Sequence, residues 1–485
     1  MKTILQVSMI IVMSMPFVLY SQTATRYDEL EKISEEQETI YEVRKAMAMN
    51  WALRNGYPIR EEIDGSLVEI QYINNNGIPQ YYKTDNVNAA ATTSTDNVHP
   101  GGGAGLSLTG SGITVRQWDG GNVRTTHQEY GGRVTNLNSA SNHYHSGHVA
   151  GTIMAAGVVA SAKGMAYQAN LRAYDFSNDN SEMSYEAGLN ALMSNHSYGF
   201  IRGWYGSNWY GDPGVSTQED YLFGFYDANS QAWDQIAYNA PYYLIVKSAG
   251  NDRNDSGSGY PPDGPWDCIG QQGVAKNILT VGAVDDITGG YSGPSSVSMS
   301  TFSSWGPADD GRIKPDIVAN GVSLYSTDVD NNSDYRTLSG TSMSAPSATG
   351  SLALLQEHWE NLNGSGNYML AATLKALVIH TADEAGSYTG PDYSYGWGLM
   401  NTEKAALLIS DDQSGNNIDE LVLNNGGTFT RNVTALGTEP LKVTIVWTDV
   451  PGTPTSAQLD PITPMLVNDL DLRITEGANT YYPWK

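Results

Sequence analysis

The 485-residue sequence predicts an α/β fold with a mostly parallel sheet flanked by helices, preceded by a small α+β unit and followed by a β-sandwich. Three observations carry this. Between Ile113 and about Ile409, short apolar runs of buried-strand type alternate with helical stretches. Ahead of them, one long helical periodicity is followed by two strand-like segments. Beyond Ile418 the chain turns to strands punctuated by Gly, Asn, Thr and Pro.

Taken in order, Met1–Ser21 has one lysine, an apolar run from Ile4 to Tyr20 and small Ser21, the pattern of a secretory signal peptide cut near Ser21. Pro16 and the shortness of the run argue against an uncleaved anchor, so the mature form is expected outside the cell and off the membrane. Thr25–Asn55 has Leu30, Ile33, Ile40, Val43, Met47 and Trp51 at helical spacing, and Gly56 and Pro58 stop the helix. Ser66–Ile73 alternates like a strand, and Ile78–Thr84 returns as a second, which Pro79 would confine to an edge. The Gly/Ser/Thr/Asn-rich stretch from Asn86 to Gly112 reads as a linker. Buried strands follow at Ile113–Trp118, Leu171–Tyr174, Tyr243–Val246 and Ile278–Val284, with a helix expected over Ser184–Met193. The last strands are expected at Leu421–Leu423, Thr428–Val433, Val443–Trp447 and Leu470–Ile474. The resulting division is 1–21 leader, 22–92 α+β segment, 93–410 α/β domain and 411–485 an incomplete β-sandwich, so a longer precursor is expected.

A net charge of −26 argues against nucleic acid and anionic membrane as partners. Cys268 is the only cysteine, so stability must come from packing and bound ions rather than from disulfides within the chain.

Four stretches carry chemistry. "HYHSGHVAGTIMAAG" (His143–Gly157) places His143, His145 and His148 within six residues, as either metal ligands or a proton-transfer site would. In "SGTSMSAP" (Ser339–Pro346), Pro346 is tolerable only in a first helical turn, so Ser342 should sit at a helix N-terminus beside free N–H groups, as an oxyanion site or a plain cap. "ITVRQWDGG" ends a strand in Asp119, where a carboxylate can orient an imidazole or simply sit in a turn. "LIVKSAGND" ends another in Gly250-Asn251, whose amide could donate to an oxyanion.

Together these stretches resemble the subtilase family of serine endopeptidases. The Ser segment matches Gly-Thr-Ser-Met-Ala-x-Pro with Ser344 in place of the usual Ala, and Val149-Ala150-Gly151-Thr152 matches the end of the family's His segment. The resemblance continues through "VGAV", "FSSWGP", "DGRIKPDIVANG", "LKALVIHTAD" and "YGWGLMN". "VTIVWTDVPG" and "LVNDLDLRIT" resemble the jelly-roll domain that follows the catalytic domain in a group of alkaline subtilases.

The resemblance implies a subtilisin-like fold and peptide-bond hydrolysis by Ser342, with His145 as general base, Asp119 orienting it, and Asn251 with the Ser342 N–H stabilising the oxyanion. It implies substrate binding by Ser197, Tyr198 and Gly199 on an edge strand and by Ser248, Ala249 and Gly250 on the primary-pocket wall. It also implies that the α+β segment is the enzyme's own inhibitor. The small residues Asn88–Ser94 of the linker are expected to make an accessible stretch for self-cleavage. His148 is expected to be a buried structural histidine and His143 a rim residue. A metal reading resembles His-x-His-x-Asp-His, but Gly147 stands where that run needs aspartate.

The family usually has a hydroxyl residue where Gly120 stands, Gly-Thr where Ser146-Gly147 stands, and proline where Asn320 stands. No cofactor is expected for catalysis. The counterpart of the family's tight calcium loop, Ala156–Lys163, lacks carboxylate and amide side chains, which argues against calcium there; the acidic stretches Asp175–Glu182, Asp328–Asp334 and Asp469 with Asp471 offer oxygen ligands for structural calcium, or are equally well solvated loops. The expected partners are protein or peptide substrates. An inactive subtilase fold serving as a binding module is the alternative from another class.

Overall fold

The computed structural model describes residues 8–14, 24–63, 66–84, 90–415, 417–435, 437 and 440–484. The expected leader lies outside them except for Ser8–Ser14, a strand that pairs in parallel with Ile418–Val422 and Lys442–Val446.

Tyr27–Asn55 forms α1, closed by Gly56 in the left-handed conformation. Strands β1 (Arg60–Ile63), β2 (Ser66–Ile73) and β3 (Pro79–Thr84) make an antiparallel sheet beside it. Then come β4 (Thr114–Asp119), β5 (Val134–Asn136), α2 (Tyr144–Met154), β6 (Asn170–Asp175), α3 (Asp179–Gly188), β7 (Met193–His196) and β8 (Tyr198–Phe200). They are followed by α4 (Ala228–Asn239), β9 (Leu244–Ser248), β10 (Leu279–Val284), β11 (Ile317–Asn320), α5 (Thr341–Asn363), α6 (Ala371–Thr381) and α7 (Thr402–Gly415).

The main sheet has seven strands, all parallel, in the order β11-β10-β9-β7-β4-β6-β5. Alternation along a strand explains the three layers. Val246 faces the core shared with α2, α5, α6 and α7, whereas Ile245 faces the core shared with α3 and α4. Chain order reverses around β4 and β7, so their carboxyl ends form the crevice where such sheets bind ligands.

Several expectations change. The helix read over Ser184–Met193 ends at Gly188, and Met193–His196 is instead a central, fully buried strand. The linker reading fails from Ala90 onward: Thr92, Thr93, Thr95 and Val98 are buried, and the Thr95 hydroxyl bonds those of Ser351 and Thr402 at 2.7 and 2.9 Å. Within the described part of Asn88–Ser94, Thr92 and Thr93 are buried, whereas Ala91 is exposed and Ala90 and Ser94 are half-buried. On α1, Leu30, Ile33, Ala48 and Ala52 are buried while Ile40, Val43 and Met47 are exposed. The N-terminal part of α1 packs on α3 and its C-terminal part on its own sheet, so no single stripe stays covered.

β3 is an edge only within the α+β segment. Its other side pairs antiparallel with β8, in the register Tyr82–Phe200, Lys83–Gly199 and Thr84–Tyr198. Pro79 lies before this pairing begins, which is why a residue without an N–H is tolerated in an inner strand. Of the sandwich expected past Ile418, the described residues show the short strands Ile418–Val422, Lys442–Val446, Ile474–Glu476 and Asn479–Tyr481, with no strand at Thr428–Val433. This segment is tied to the α/β body where Lys276 Nζ meets Asp449 Oδ2 at 2.5 Å.

Candidate active site

Asp119 is the last residue of β4, and its side chain is wholly buried in the crevice. Its Oδ1 lies 2.6 Å from Nδ1 of His145, which is also fully buried, in the first turn of α2. The Gly120 N–H and the Ser146 hydroxyl donate to the same oxygen at 2.7 and 3.0 Å. The two departures noted in the sequence therefore compensate each other: the hydroxyl absent at Gly120 is supplied by Ser146 from the helix side. α2 can lie this deep because Gly151 lets it approach the strand Leu324–Thr327. A Cβ there would meet Ser326 Oγ at 2.3 Å and Thr327 Oγ1 at 2.4 Å.

The other two histidines are separated from this pair. His148 is buried as expected, Nε2 bonds the Leu324 carbonyl at 3.1 Å, and burial pushes its pKa down to about 3. His143 is not on the rim: it is 9% exposed and precedes the first turn of α2, its ring tilted by 40° against that of Tyr144. With one imidazole on a carboxylate and another on a carbonyl, the three rings do not converge as metal ligands do.

Ser342 is the second residue of α5, which packs against α2, and it is fully buried. Its hydroxyl donates to the Ser197 carbonyl at 2.6 Å, while the Ser197 hydroxyl donates to the Ser342 carbonyl at 2.9 Å. Pro346 lies one turn deeper than the sequence reading allowed, and the reason is local. In an α-helix the N–H of residue 346 would bond the Ser342 carbonyl, and proline has none. Ser197 supplies that missing donor, and Asn195 in turn donates to Ser197 Oγ at 2.8 Å.

Asn251 stands three residues past Ser248, the end of β9, and its side-chain oxygen accepts from both N and Oγ1 of Thr341 at 2.9 Å. This leaves the NH2 end of the amide as its donor, while Thr341, the neighbour of Ser342 in the chain, holds the oxygen end. Gly250 has φ 109, and a Cβ there would meet Asp252 Oδ2 at 2.7 Å, so the wall Ser248–Gly250 is held close to the loop behind it.

Ser248, Ala249 and Gly250 line a cleft of about 370 Å³, counting its open part, opposite Gly199 and Phe200. Lys247, Asp252, Gln271 and Gln272 also line it and were not singled out in the sequence. Tyr198 is fully buried and its hydroxyl donates to Asp179 Oδ2 at 2.8 Å. Burial raises the Asp179 carboxyl to a pKa of about 6.

Among the acidic stretches that offer oxygen ligands for calcium, Asp328, Asp330 and Asp334 do bring carboxylates within 4.8 Å of one another. However, Asp328 already holds Arg336 at 2.5 Å. A second cluster, Glu219, Asp267 and Asp460, was not seen in the sequence. Asp309 joins it electrostatically. Burial, reinforced by the neighbouring carboxylates, lifts Asp267 to about 7 and Asp309 to about 9.

A family model described as "Subtilase family" matches residues 89–398. Subtilisin DY of Bacillus licheniformis is 30% identical over 263 residues, covering 54% of this chain and 77% of that protein. The C5a peptidase of Streptococcus pyogenes serotype M3 is 34% identical over 161 residues, covering 31% of this chain; the match spans only 13% of that protein's length. Fervidolysin from Fervidobacterium pennivorans, a keratinolytic enzyme related to subtilisin, aligns with a TM-score of 0.45 at 21% identity, over 65% of this chain and 45% of its own.

Proposed function

The chain belongs to the subtilase family, and from that premise we propose that it is a secreted serine endopeptidase whose residues 22 to about 85 act as its own inhibitor. The observation that carries the proposal is the buried Asp119–His145 pair at 2.6 Å, set beside a helix N-terminus that presents Ser342.

In this reading the Ser342 hydroxyl turns from the Ser197 carbonyl toward His145. Its oxygen attacks the scissile carbonyl while the imidazole takes its proton, and Asp119 stabilises the imidazolium that forms. The Asn251 amide and the Ser342 N–H donate to the oxyanion, where charge develops only in the transition state. His145 then passes the proton to the leaving amine, and water resolves the acyl-enzyme by the same route. Every group in this sequence is a side chain or backbone N–H, so the chemistry calls for no cofactor.

The pairing of β3 with β8 supports the inhibitor role, because an extended segment there takes the place of a peptide substrate. Structural calcium is proposed at Glu219, Asp267 and Asp460, where Glu219 Oε1 and Asp267 Oδ1 are buried without a hydrogen-bond partner. Export rests on the leader-like Met1–Ser21, and no helix among the described residues is long and apolar enough to cross a membrane.

The test is Ser342→Ala. Peptidase activity should fall by about a million-fold, the loss seen for a subtilisin nucleophile. Near-normal activity in a purified, folded Ser342→Ala chain would overturn the reading.

A further inference from the structure

The pairing of β3 with β8 seats one side chain of the N-terminal segment beside the cleft. Tyr82 is buried, and its ring centroid lies 5.3 Å from that of Phe176, 4.9 Å from that of Tyr198 and 4.5 Å from that of Phe200. Three aromatic walls suit any aromatic occupant. The far end of the seat is polar. There the Tyr82 hydroxyl donates to Asp179 Oδ2 at 3.0 Å and accepts from Gln272 Nε2 at 2.9 Å. Phe200 and Gln272 also line the cleft of Ser248–Gly250, so the seat is continuous with it.

Buried groups of the α/β body hold that polar end in place. Asp179 is the first residue of α3; its Oδ1 accepts from the Asn180 N–H at 2.8 Å and its Oδ2 from the Tyr198 hydroxyl at 2.8 Å. His196 Nδ1 lies 2.9 Å from the Tyr198 hydroxyl oxygen, and its Nε2 lies 2.8 Å from Ser194 Oγ. With the Tyr198 proton committed to Asp179, the Tyr198 oxygen accepts from Nδ1–H, and Ser194 donates to Nε2. The carboxylate is thereby fixed so that Oδ2 takes a second hydroxyl from the seat.

Tyr82, Lys83 and Thr84 stand opposite Phe200, Gly199 and Tyr198. One step further along this strand edge is Ser197, whose carbonyl holds Ser342 Oγ at 2.6 Å. A peptide lying in this register runs from the seat toward Ser342, and its residue three past the seat stands opposite Ser197. The residue in the seat is therefore on the N-terminal side of the bond that is cut.

Resting on the proposed peptidase function, we propose that the seat filled by Tyr82 is a substrate subsite selective for tyrosine, in which Asp179 and Gln272 read the phenolic hydroxyl. Tyrosine alone carries, at the end of a six-membered ring, a group that donates to the carboxylate and accepts from the amide. Phenylalanine fills the ring space but leaves the buried Gln272 N–H and one side of Asp179 without partners. Tryptophan can donate and cannot accept. Asp179 keeps Tyr198 and the Asn180 N–H whichever occupant binds, so the discrimination is smaller than in a site where the substrate hydroxyl is the carboxylate's sole partner.

The full chain is expressed, processed and freed of its N-terminal segment, then incubated with a proteome-derived peptide library, and the cut bonds are mapped by mass spectrometry. Tyrosine should be enriched over phenylalanine three residues ahead of the residue whose carbonyl is attacked. The best-cut tyrosine peptide is remade with Phe, Leu or Ala at that position, and kcat/KM should be at least about tenfold higher for Tyr than for Phe. Asp179→Leu and Gln272→Leu should each bring the Tyr/Phe ratio close to one, whatever happens to the absolute rates. If Asp179→Leu does not fold, Gln272→Leu carries the comparison. Equal or better cleavage of the Phe peptide, no enrichment at that position, or an unchanged ratio in folded Gln272→Leu overturns the inference but leaves the peptidase reading standing. No cleavage of any substrate overturns both.

Discussion

Ser197 and Ser342 exchange hydrogen bonds: each hydroxyl donates to the other's carbonyl, at 2.9 and 2.6 Å. One bond replaces the helical donor that Pro346 lacks, and the other parks the proposed nucleophile on the strand that faces substrate. Ser197→Ala leaves the buried Ser342 carbonyl without that donor and should cost about 1–2 kcal/mol of stability. Pro346→Ala restores an N–H at the right position, so the double variant should recover most of the loss. Urea unfolding of the four members of the cycle measures it, and strict additivity of the two changes would count against the compensation.

Ser146 supplies the hydroxyl that holds the Asp119 carboxylate, at 3.0 Å. Ser146→Ala should lower kcat by about tenfold with KM nearly unchanged, since a bond to a charged group is lost far from bound substrate. Ser146→Thr should keep most of the activity. Steady-state kinetics on one chromogenic peptide separates the cases, and a loss confined to KM would remove Ser146 from the orientation of Asp119.

Tyr82 anchors the segment proposed to act as inhibitor. Its ring lies 4.5 to 5.3 Å from those of Phe200, Tyr198 and Phe176, and its hydroxyl bonds Asp179 at 3.0 Å and Gln272 at 2.9 Å. Tyr82→Ala should cost about 3–5 kcal/mol of docking. In a Ser342→Ala background that stays uncut, hydrogen exchange over residues 66–84 should speed up well before that of the seven-stranded sheet. Unchanged protection there would mean that the segment is held elsewhere.

Docking should also depend on pH. Burial raises Asp179 to about 6 against the pull of the Tyr198 and Tyr82 hydroxyls, and Asp175 is raised by burial and by Glu69 of the docked segment. A carboxyl whose pKa is higher in the docked state binds a proton more tightly there. Its contribution to docking is therefore complete below the ordinary carboxylate pKa and is lost as pH rises through about 6. Segment exchange in the uncut chain should accelerate between pH 5 and about 7, whereas acceleration on acidification would reverse the sign and exclude these groups as the cause.

Much of this site was legible in the sequence because its groups sit at the ends of strongly patterned elements. Asp119 closes an apolar strand run, and Ser342 precedes a run of small residues that can only pack as a buried helix. What was missed lacks a local signal. Met193–His196 is a central strand with one apolar residue in four, and its partners β4 and β9, rather than its own pattern, make it a strand. Pro346 was placed in the first turn because proline's rule is local, while its remedy, Ser197, lies on another strand. The Glu219, Asp267 and Asp460 cluster is gathered from distant loops, and no periodicity reports such a meeting. Lys247 reads as one residue of a buried strand, and only the cleft beside it reveals its setting.

The central claim is that Ser342 is an activated nucleophile, and covalent labelling tests it most directly. The processed full chain is treated with a fluorophosphonate and the modified peptide is mapped by mass spectrometry. The account predicts one adduct, on Ser342, that disappears with His145→Ala although the fold is retained. No adduct on a well-folded chain, or an adduct on another serine while Ser342 stays unmodified, would contradict it.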